Sequence, residues 1–520
     1  MHDRPSSPAP GHGKRLITAV GSSPRIIVVL FIAALTAVLL LVMPRSLSPD
    51  ISGQLWIADR LRHGARLYLD ISEINPPLWF WLAMPVDGLA DMLGMRAEHV
   101  LIAGVGCAAL LSLLATDRLL DQYPPETRAA FLLYGACILL IMPLRDLGQR
   151  EQIALICALP YALLIAARRQ GRPVPVALVL LVATGAASGI ALKHYFVGVP
   201  VLLEVWLVAS LRRDWRPFRP ELIVLVAGAL GYAAVILILT PGYLQVSVPE
   251  LALAYGASGA PSLRYMIRPA QPIWVVILWG IWAQRAMTGR RLSPTATAFL
   301  IAAGGFFLAW LIQHKGWPYQ SIATTGMLAF AMAAAFADNA LRRPRPILVT
   351  ALVLPILLVT VPTQWVPASD TDIGPALVGL APGDTVAIVS KEGRTAWPST
   401  VNQDLRFSGR RGSFWIFAAV DANALGANDP RITALGSKVV RETVLDYRCL
   451  PPKRIVFAPG RAPKGVTTAS NNPLKYFLRD PQFAHLLAHY RRLDVPGAID
   501  AFEATRPLVP LRSAECPRGI

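Results

Sequence analysis

Long apolar runs separated by short polar turns occupy the first 362 residues, each close to the ~20 residues that a helix needs to cross a hydrocarbon layer of roughly 30 Å. The runs at 25–43, 98–116, 128–144, 151–167, 173–191, 195–211, 221–239, 271–287, 293–313, 320–338 and 345–362 predict about eleven transmembrane helices. Another apolar stretch, 76–95, is interrupted by Pro85, Asp87, Gly88 and Asp91 after its aromatic start. It reads as an amphipathic or re-entrant helix at the interface rather than a crossing.

Outside these runs the pattern changes. Residues 1–24 are polar and basic and predict a tail, with 25–362 as the membrane domain. Beyond Pro362 the hydropathy falls, and 363–520 predicts a small α/β domain. Asp384–Ser390 and Arg454–Ala458 read as short buried strands there. Asn472–Arg492 reads as an amphipathic helix with Phe477, Phe483, Leu487 and Tyr490 on its apolar side.

Composition agrees: 54% of residues are hydrophobic and 16% charged, too apolar for an ordinary soluble protein. The net charge of +18 first suggests nucleic acid, but the arginines sit in short loops between apolar runs. Arg168, Arg169 and Arg172; Arg212, Arg213, Arg216 and Arg219; Arg285, Arg290 and Arg291; and Arg342, Arg343 and Arg345 alternate with two runs between successive groups. That is the pattern of cytoplasmic loops, and it calls for no nucleic acid. It places residues 45–97 outside as one loop, together with 145–150, 240–270, 314–319 and the C-terminal domain. Cys107, Cys137 and Cys157 lie in apolar runs, where cysteine acts as a small hydrophobe. Cys449 and Cys516 are the disulfide pair available to an exported domain.

Charged residues on that outer face run against the charge bias and are the candidates for chemistry. One group is Asp50, just after the first run, followed by Asp70, Glu73 and Asn75. A second is Arg145, Asp146, Arg150 and Glu151. The third comprises Lys193 and His194 with the turn His314, Lys315, Trp317 and Tyr319. Each has a structural alternative: Asp50 as a helix N-cap, Arg145–Glu151 as a self-paired turn, the lysines and His194 as snorkelling side chains. A carboxylate opposite fixed cations is nevertheless what a phosphorylated lipid substrate requires.

This arrangement resembles the GT-C superfamily of polytopic glycosyltransferases, which includes protein O-mannosyltransferases and lipid A aminoarabinose transferases. Asp50 matches the acidic residue after the first span, Ile51–Ala65 the first juxtamembrane helix, Asn75-Pro76-Pro77-Leu78 the segment closing the loop, and Glu151 the second acidic position. The Asp-Glu pair of the mannosyltransferases is absent, because Ile51 follows Asp50. The turn His314–Tyr319 and the segments Trp397–Asn402 and Ser408–Trp415 look like those of a bacterial branch of the superfamily. The resemblance implies an all-α polytopic GT-C-like domain with juxtamembrane helices and an α/β periplasmic domain, in a bacterial inner membrane with a cytoplasmic N-terminus. It implies inverting sugar transfer from a polyprenyl-phosphate donor to a hydroxyl of a glycan, lipid or protein. Asp50 and Glu151 would be catalytic, with Glu151 also a possible ligand of a divalent metal. Arg145, Arg150, Lys193, His194 and Lys315 would receive the donor phosphate, and Asp70, Glu73, Asn75, His314, Trp317 and Tyr319 would line the substrate site. A transporter or flippase of envelope lipids, and a non-catalytic envelope scaffold, are the rival readings. A transporter usually shows internal symmetry and mid-membrane charges, whereas the polar residues here cluster at span ends.

Overall fold

The computed structural model describes residues 24–45, 47–257, 263–264, 270–289, 291–340, 372–424, 428–459 and 473–519. Its helices are α1 (Pro24–Val42), α2 (Pro49–Arg62), α3 (Leu78–Leu93), α4 (Ala97–Leu119), α5 (Pro125–Ala136, continued by a π-helical turn Cys137–Ile141), α6 (Arg150–Arg169), α7 (Val176–Ala191), α8 (Gly198–Leu211), α9 (Pro220–Leu239), α10 (Val248–Ala257), α11 (Gln271–Thr288), α12 (Pro294–Gln313) and α13 (Ile322–Ala340). Ten of the expected spans fall on these helices; seven are long and apolar enough to cross a membrane, and Val176–Ala191 and Ile273–Thr288 are shorter apolar helices. The chain is a multi-pass membrane protein. The span expected at 345–362 lies outside the described residues, as do Arg290, Arg342, Arg343 and Arg345.

Helix α6 is the centre of the bundle. It packs against α4, α7, α8, α12 and α13 and is buried along nearly all its length, so polar groups at its first turn are held inside protein. Helix α9 is the opposite case: Leu230, Leu237 and Ile238 point outward, the condition of a helix whose solvent is lipid tail. Close approach of α8 to α12 depends on glycine, since a Cβ on Gly305 would lie 2.6 Å from Val199 Cα. Small residues allow this contact where lipid offers no hydrophobic drive.

Helix α2 starts at Ser48, whose ψ of 151° is extended, and Pro49 pre-sets the first helical turn. Asp50 therefore lies one residue inside the helix, and the N-cap position belongs to Ser48. Helix α3 packs against α2 and α4 and stops at Gly94, which adopts φ 61°.

The C-terminal region contains a five-stranded sheet, order β2-β1-β3-β5-β4, of β1 (Thr385–Val389), β2 (Arg406–Phe407), β3 (Arg454–Phe457), β4 (Tyr490–Leu493) and β5 (Asp500–Ala504). β1 runs parallel to β2 and β3, and β5 is antiparallel to β3 and β4. β3 is buried at every residue, as a strand covered on both faces should be. The twenty-residue helix α14 (Pro430–Cys449) precedes β3 and covers one face with Val439, Val440 and Tyr447. Cys449 and Cys516 are joined by a disulfide, Cα–Cα 5.7 Å.

Two sequence expectations meet the strands β1 and β3. The helix expected over Asn472–Arg492 is corrected. Asn472 lies outside the described residues, and the rest divides into Leu474–Phe477, α15 (Pro481–Leu487) and strand β4. Pro481 cannot donate to the preceding turn, and the Asp480 carboxylate starts a new helix by accepting from Gln482 N and Phe483 N. Phe477, Phe483, Leu487 and Tyr490 are buried all the same, in three elements rather than one.

Candidate active site

The first turn of α6, the first turn of α2, the turn after α7 and the end of α12 meet at the end of the bundle that carries the sheet. Glu151 and Arg150 open α6 and are 1% and 2% exposed. Lys193 Nζ donates to Glu151 Oε1 at 2.6 Å and to Gln313 Oε1 at 3.0 Å. Gln320 Nε2 donates to the same Gln313 oxygen at 3.0 Å, and Lys193 Nζ lies 5.6 Å from the centre of the Tyr319 ring. Three segments distant in sequence are thus tied around one buried ion pair. Burial drives the Lys193 pKa down, against the nearby Glu151 carboxylate, which opposes the shift.

Asp50 is half-buried, and its Oδ2 accepts from Gln149 Nε2 at 3.4 Å. The same amide reaches Ser48 Oγ at 3.4 Å, and Ser48 N donates to Arg145 O at 2.6 Å, so the α2 start is fastened to the loop before α6. That loop is rigid: Gly148 N donates to Gln152 Oε1, Gln152 Nε2 to Leu139 O at 2.6 Å, and the Trp79 indole to Gly148 O at 3.0 Å. Gly148 has φ +94°, and a Cβ there would lie 2.9 Å from Leu101 Cδ2; only glycine meets both demands. Asp146 is buried beside Asp50. Burial first, then the Asp50 charge, push its carboxyl up to about 7.

Arg150 differs from the arginines at the other end of the bundle. There Arg25 and Arg128 reach Asp117 at 2.8 and 2.5 Å, Arg168 reaches Glu221 at 2.9 Å, and Arg219 reaches Glu204 at 2.5 Å. The Nε and Nη1 of Arg150 are buried with no hydrogen-bond partner among the described residues. A buried guanidinium with open donors is costly unless an anion completes it. Asp50, Asp146, Glu151 and Arg150 all act electrostatically on Tyr319, and Arg150 acts on Tyr68 and Tyr243. Tyr68, Tyr243 and Tyr319 thus lie within electrostatic reach of Arg150, and Tyr319 within reach of the three carboxylates as well.

The remaining sequence candidates divide. Glu73 Oε1 accepts from Ile74 N, Asn75 N and Asn75 Nδ2 at 2.6–2.9 Å, and Tyr68 donates to Asn75 O at 2.6 Å, so Glu73 and Asn75 form one turn at the edge of the tyrosine cluster. Asp70 is held by Arg66 at 2.8 Å. Lys315 Nζ lies 2.9 Å from the centre of the Tyr255 ring, and burial pushes its pKa down to about 8. His194 and His314 are exposed, as is Trp317, and Arg145 is half-buried. Gln313 and Gln320 were not singled out from sequence; amides at the ends of apolar runs are the signal that marks them. Among the described residues no three His, Cys, Asp or Glu side chains are grouped to hold a metal.

No family profile matches the sequence, and no curated protein matches it. Among solved structures, the chain is similar to ArnT from Cupriavidus metallidurans bound to undecaprenyl phosphate, with TM-score 0.55, 14% identity, and 91% of this chain and 97% of that chain covered. For ArnT in the apo state the values are 0.53, 15%, 91% and 97%. The archaeal oligosaccharyltransferase AglB from Archaeoglobus fulgidus, in complex with an inhibitory peptide and a dolichol-phosphate, overlaps at TM-score 0.41 with 13% identity, over 76% of this chain and 63% of that chain, too slightly to bear on the fold. The ArnT likeness spans nearly the whole of both chains. The chain has the fold of ArnT.

Proposed function

We propose that this protein transfers a sugar from a polyprenyl-phosphate donor to an acceptor hydroxyl, with inversion at the anomeric carbon, on the periplasmic face of a bacterial inner membrane. The observation that carries the reading is Arg150, a guanidinium 2% exposed with two unpartnered nitrogens, in a site that also holds Asp50. ArnT, which shares the fold, is seen with undecaprenyl phosphate. The arginine-rich loops at the other end of the bundle support its orientation toward the cytoplasm.

In this mechanism the acceptor oxygen attacks the anomeric carbon while Asp50 takes its proton. The bond from that carbon to the phosphate oxygen breaks, and the leaving polyprenyl phosphate gains one negative charge. Arg150 receives that charge; Arg145, His194 and Lys315 supply further positive potential. Lys193 acts differently from those cations: it neutralises Glu151 and fixes it, so that Glu151 Oε2, buried without a partner, is left to orient the acceptor. Tyr319 and Trp317, with Asp70, Glu73, Asn75 and His314, belong to the substrate side. The test is titration of purified full-length protein with undecaprenyl phosphate. Arg150→Gln weakens binding at least about 30-fold; unchanged affinity contradicts the reading.

A further inference from the structure

Two segments singled out in the sequence, Trp397–Asn402 and Ser408–Trp415, take no part in this chemistry, and both lie against α2. A Cβ on Gly53 would fall 3.2 Å from the Trp397 indole nitrogen, and the Trp397 ring lies 5.3 Å from that of Trp56. Further along the same loop, Ser72 N donates to Arg410 O at 2.8 Å and Arg411 Nη1 donates to Ser72 Oγ at 2.6 Å. The loop that carries Asp50 is therefore gripped by the sheet-bearing region as well as by the bundle.

Arg60 concentrates this grip. It is 4% exposed, yet its donors end on carbonyls rather than carboxylates: Nη1 on Gly409 O at 2.9 Å, Nε on Gly519 O at 3.1 Å and Nη2 on Arg518 O at 3.1 Å. The carboxylates whose charge reaches it, Asp446, Asp70 and Asp59, face Arg410, Arg66 and His63 respectively. Burial accordingly pulls the Arg60 pKa down to about 10. A planar fork matches three carbonyls in fixed directions, which the compact ammonium of lysine does not.

The partner segment fits α2 through its backbone. Gly519 has φ +67°, and a Cβ there would lie 2.8 Å from Arg60 O and 2.9 Å from Ala65 N. Leu511 N donates to Arg448 O at 2.7 Å, and the Cys449–Cys516 disulfide anchors the segment to the end of α14 just before Arg518. Arg60 and Asp50 belong to one helix, about 15 Å apart along its axis. A tilt at the Arg60 end therefore moves Asp50 relative to Asp146 and Arg150.

We propose that Arg60 is a positioning residue for Asp50, and that the disulfide-anchored segment ending in Arg518 and Gly519 is the part of the C-terminal region that holds it in place. This rests on the reading of Asp50 as the base. Misplacing a reacting group by about 1 Å costs up to roughly a hundredfold in rate, so the tether acts on turnover and leaves donor binding at Arg150 nearly intact.

The experiment compares full-length Arg60→Leu, Arg60→Lys, Gly519→Ala and Cys449→Ser/Cys516→Ser, the last alongside reduced wild-type protein. Hydrogen exchange of 49–62 is read with that of α4 as the control for folding, and kcat and donor KM are read for transfer. The expected result is faster exchange in 49–62 with α4 unchanged, and kcat lowered roughly ten- to a hundredfold at similar KM. Arg60→Lys, which keeps the charge without the fork, loses kcat in the same way. Unchanged exchange in 49–62 overturns the proposal, as does faster exchange with unaltered kcat. Full transfer by Asp50→Asn sinks the assignment of the base, and with it the claim that the tether serves that carboxylate, while the exchange data still report whether the tether exists.

Discussion

Lys193 and Glu151 meet at 2.6 Å in the interior of the bundle, 5% and 1% exposed, with the Gln313 amide oxygen accepting a second bond from the same ammonium. Neither charge has water to fall back on, so each is tolerable only because of the other.

Removing one partner should therefore be far worse than removing both. Lys193→Met is expected to destabilise the protein by about 3–5 kcal/mol, and Lys193→Met/Glu151→Gln to recover most of that loss. Thermal unfolding of the purified variants in one detergent measures both. A double variant no more stable than Lys193→Met would show that the ion pair does not govern the site.

Asp146 gives a pH dependence of definite sign. Burial and the charge of Asp50 hold its carboxyl near pKa 7 in the folded protein, against about 3.9 in an unfolded chain. Its contribution to stability is thus complete below about pH 4 and lost as pH rises through 7. Asp146→Asn, which imitates the protonated form, should raise the melting temperature at pH 8 by several degrees and change it little at pH 4. The same increase at both pH values would contradict the raised pKa.

The reading of the membrane domain from sequence was good because the bilayer imposes a length on every apolar run, and ten such runs emerge as helices close to their expected bounds. Asp50, Glu151, Lys193 and Tyr319 stood out as polar groups at span ends. What brings them together did not: Gln313 and Gln320 are unremarkable in the sequence, and their contacts depend on how α12 and α13 turn over. In the C-terminal region the apolar spacing of Phe477 to Tyr490 fits a helix, but local capping at Asp480 and pairing of β4 with β5 override it. Helix α14 and strands β2 and β5 have no counterpart in the sequence reading, because short strands and a half-polar helix lack the contrast that lipid burial gives.

Adjacent glycines in α12 test the close approach of α8. A Cβ on Gly305 meets the Val199 backbone at 2.6 Å, whereas one on Gly304 has Leu202 Cδ1 at 3.8 Å as its nearest neighbour. Gly305→Ala should cost about 1–3 kcal/mol, with Gly304→Ala near neutral. Equal melting temperatures for the two variants would show that the helices separate freely.

The central claim, sugar transfer from a polyprenyl-phosphate donor with Asp50 as base, is tested most directly by mass spectrometry of lipid-linked sugars and envelope glycans in cells with and without this protein. The account predicts that its removal strips one sugar from a glycan, lipid or protein while the matching polyprenyl-phosphate-linked sugar accumulates, and that cells carrying Asp50→Asn accumulate the same donor. An unchanged lipid-linked pool in cells lacking the protein, or normal transfer by Asp50→Asn, would contradict it.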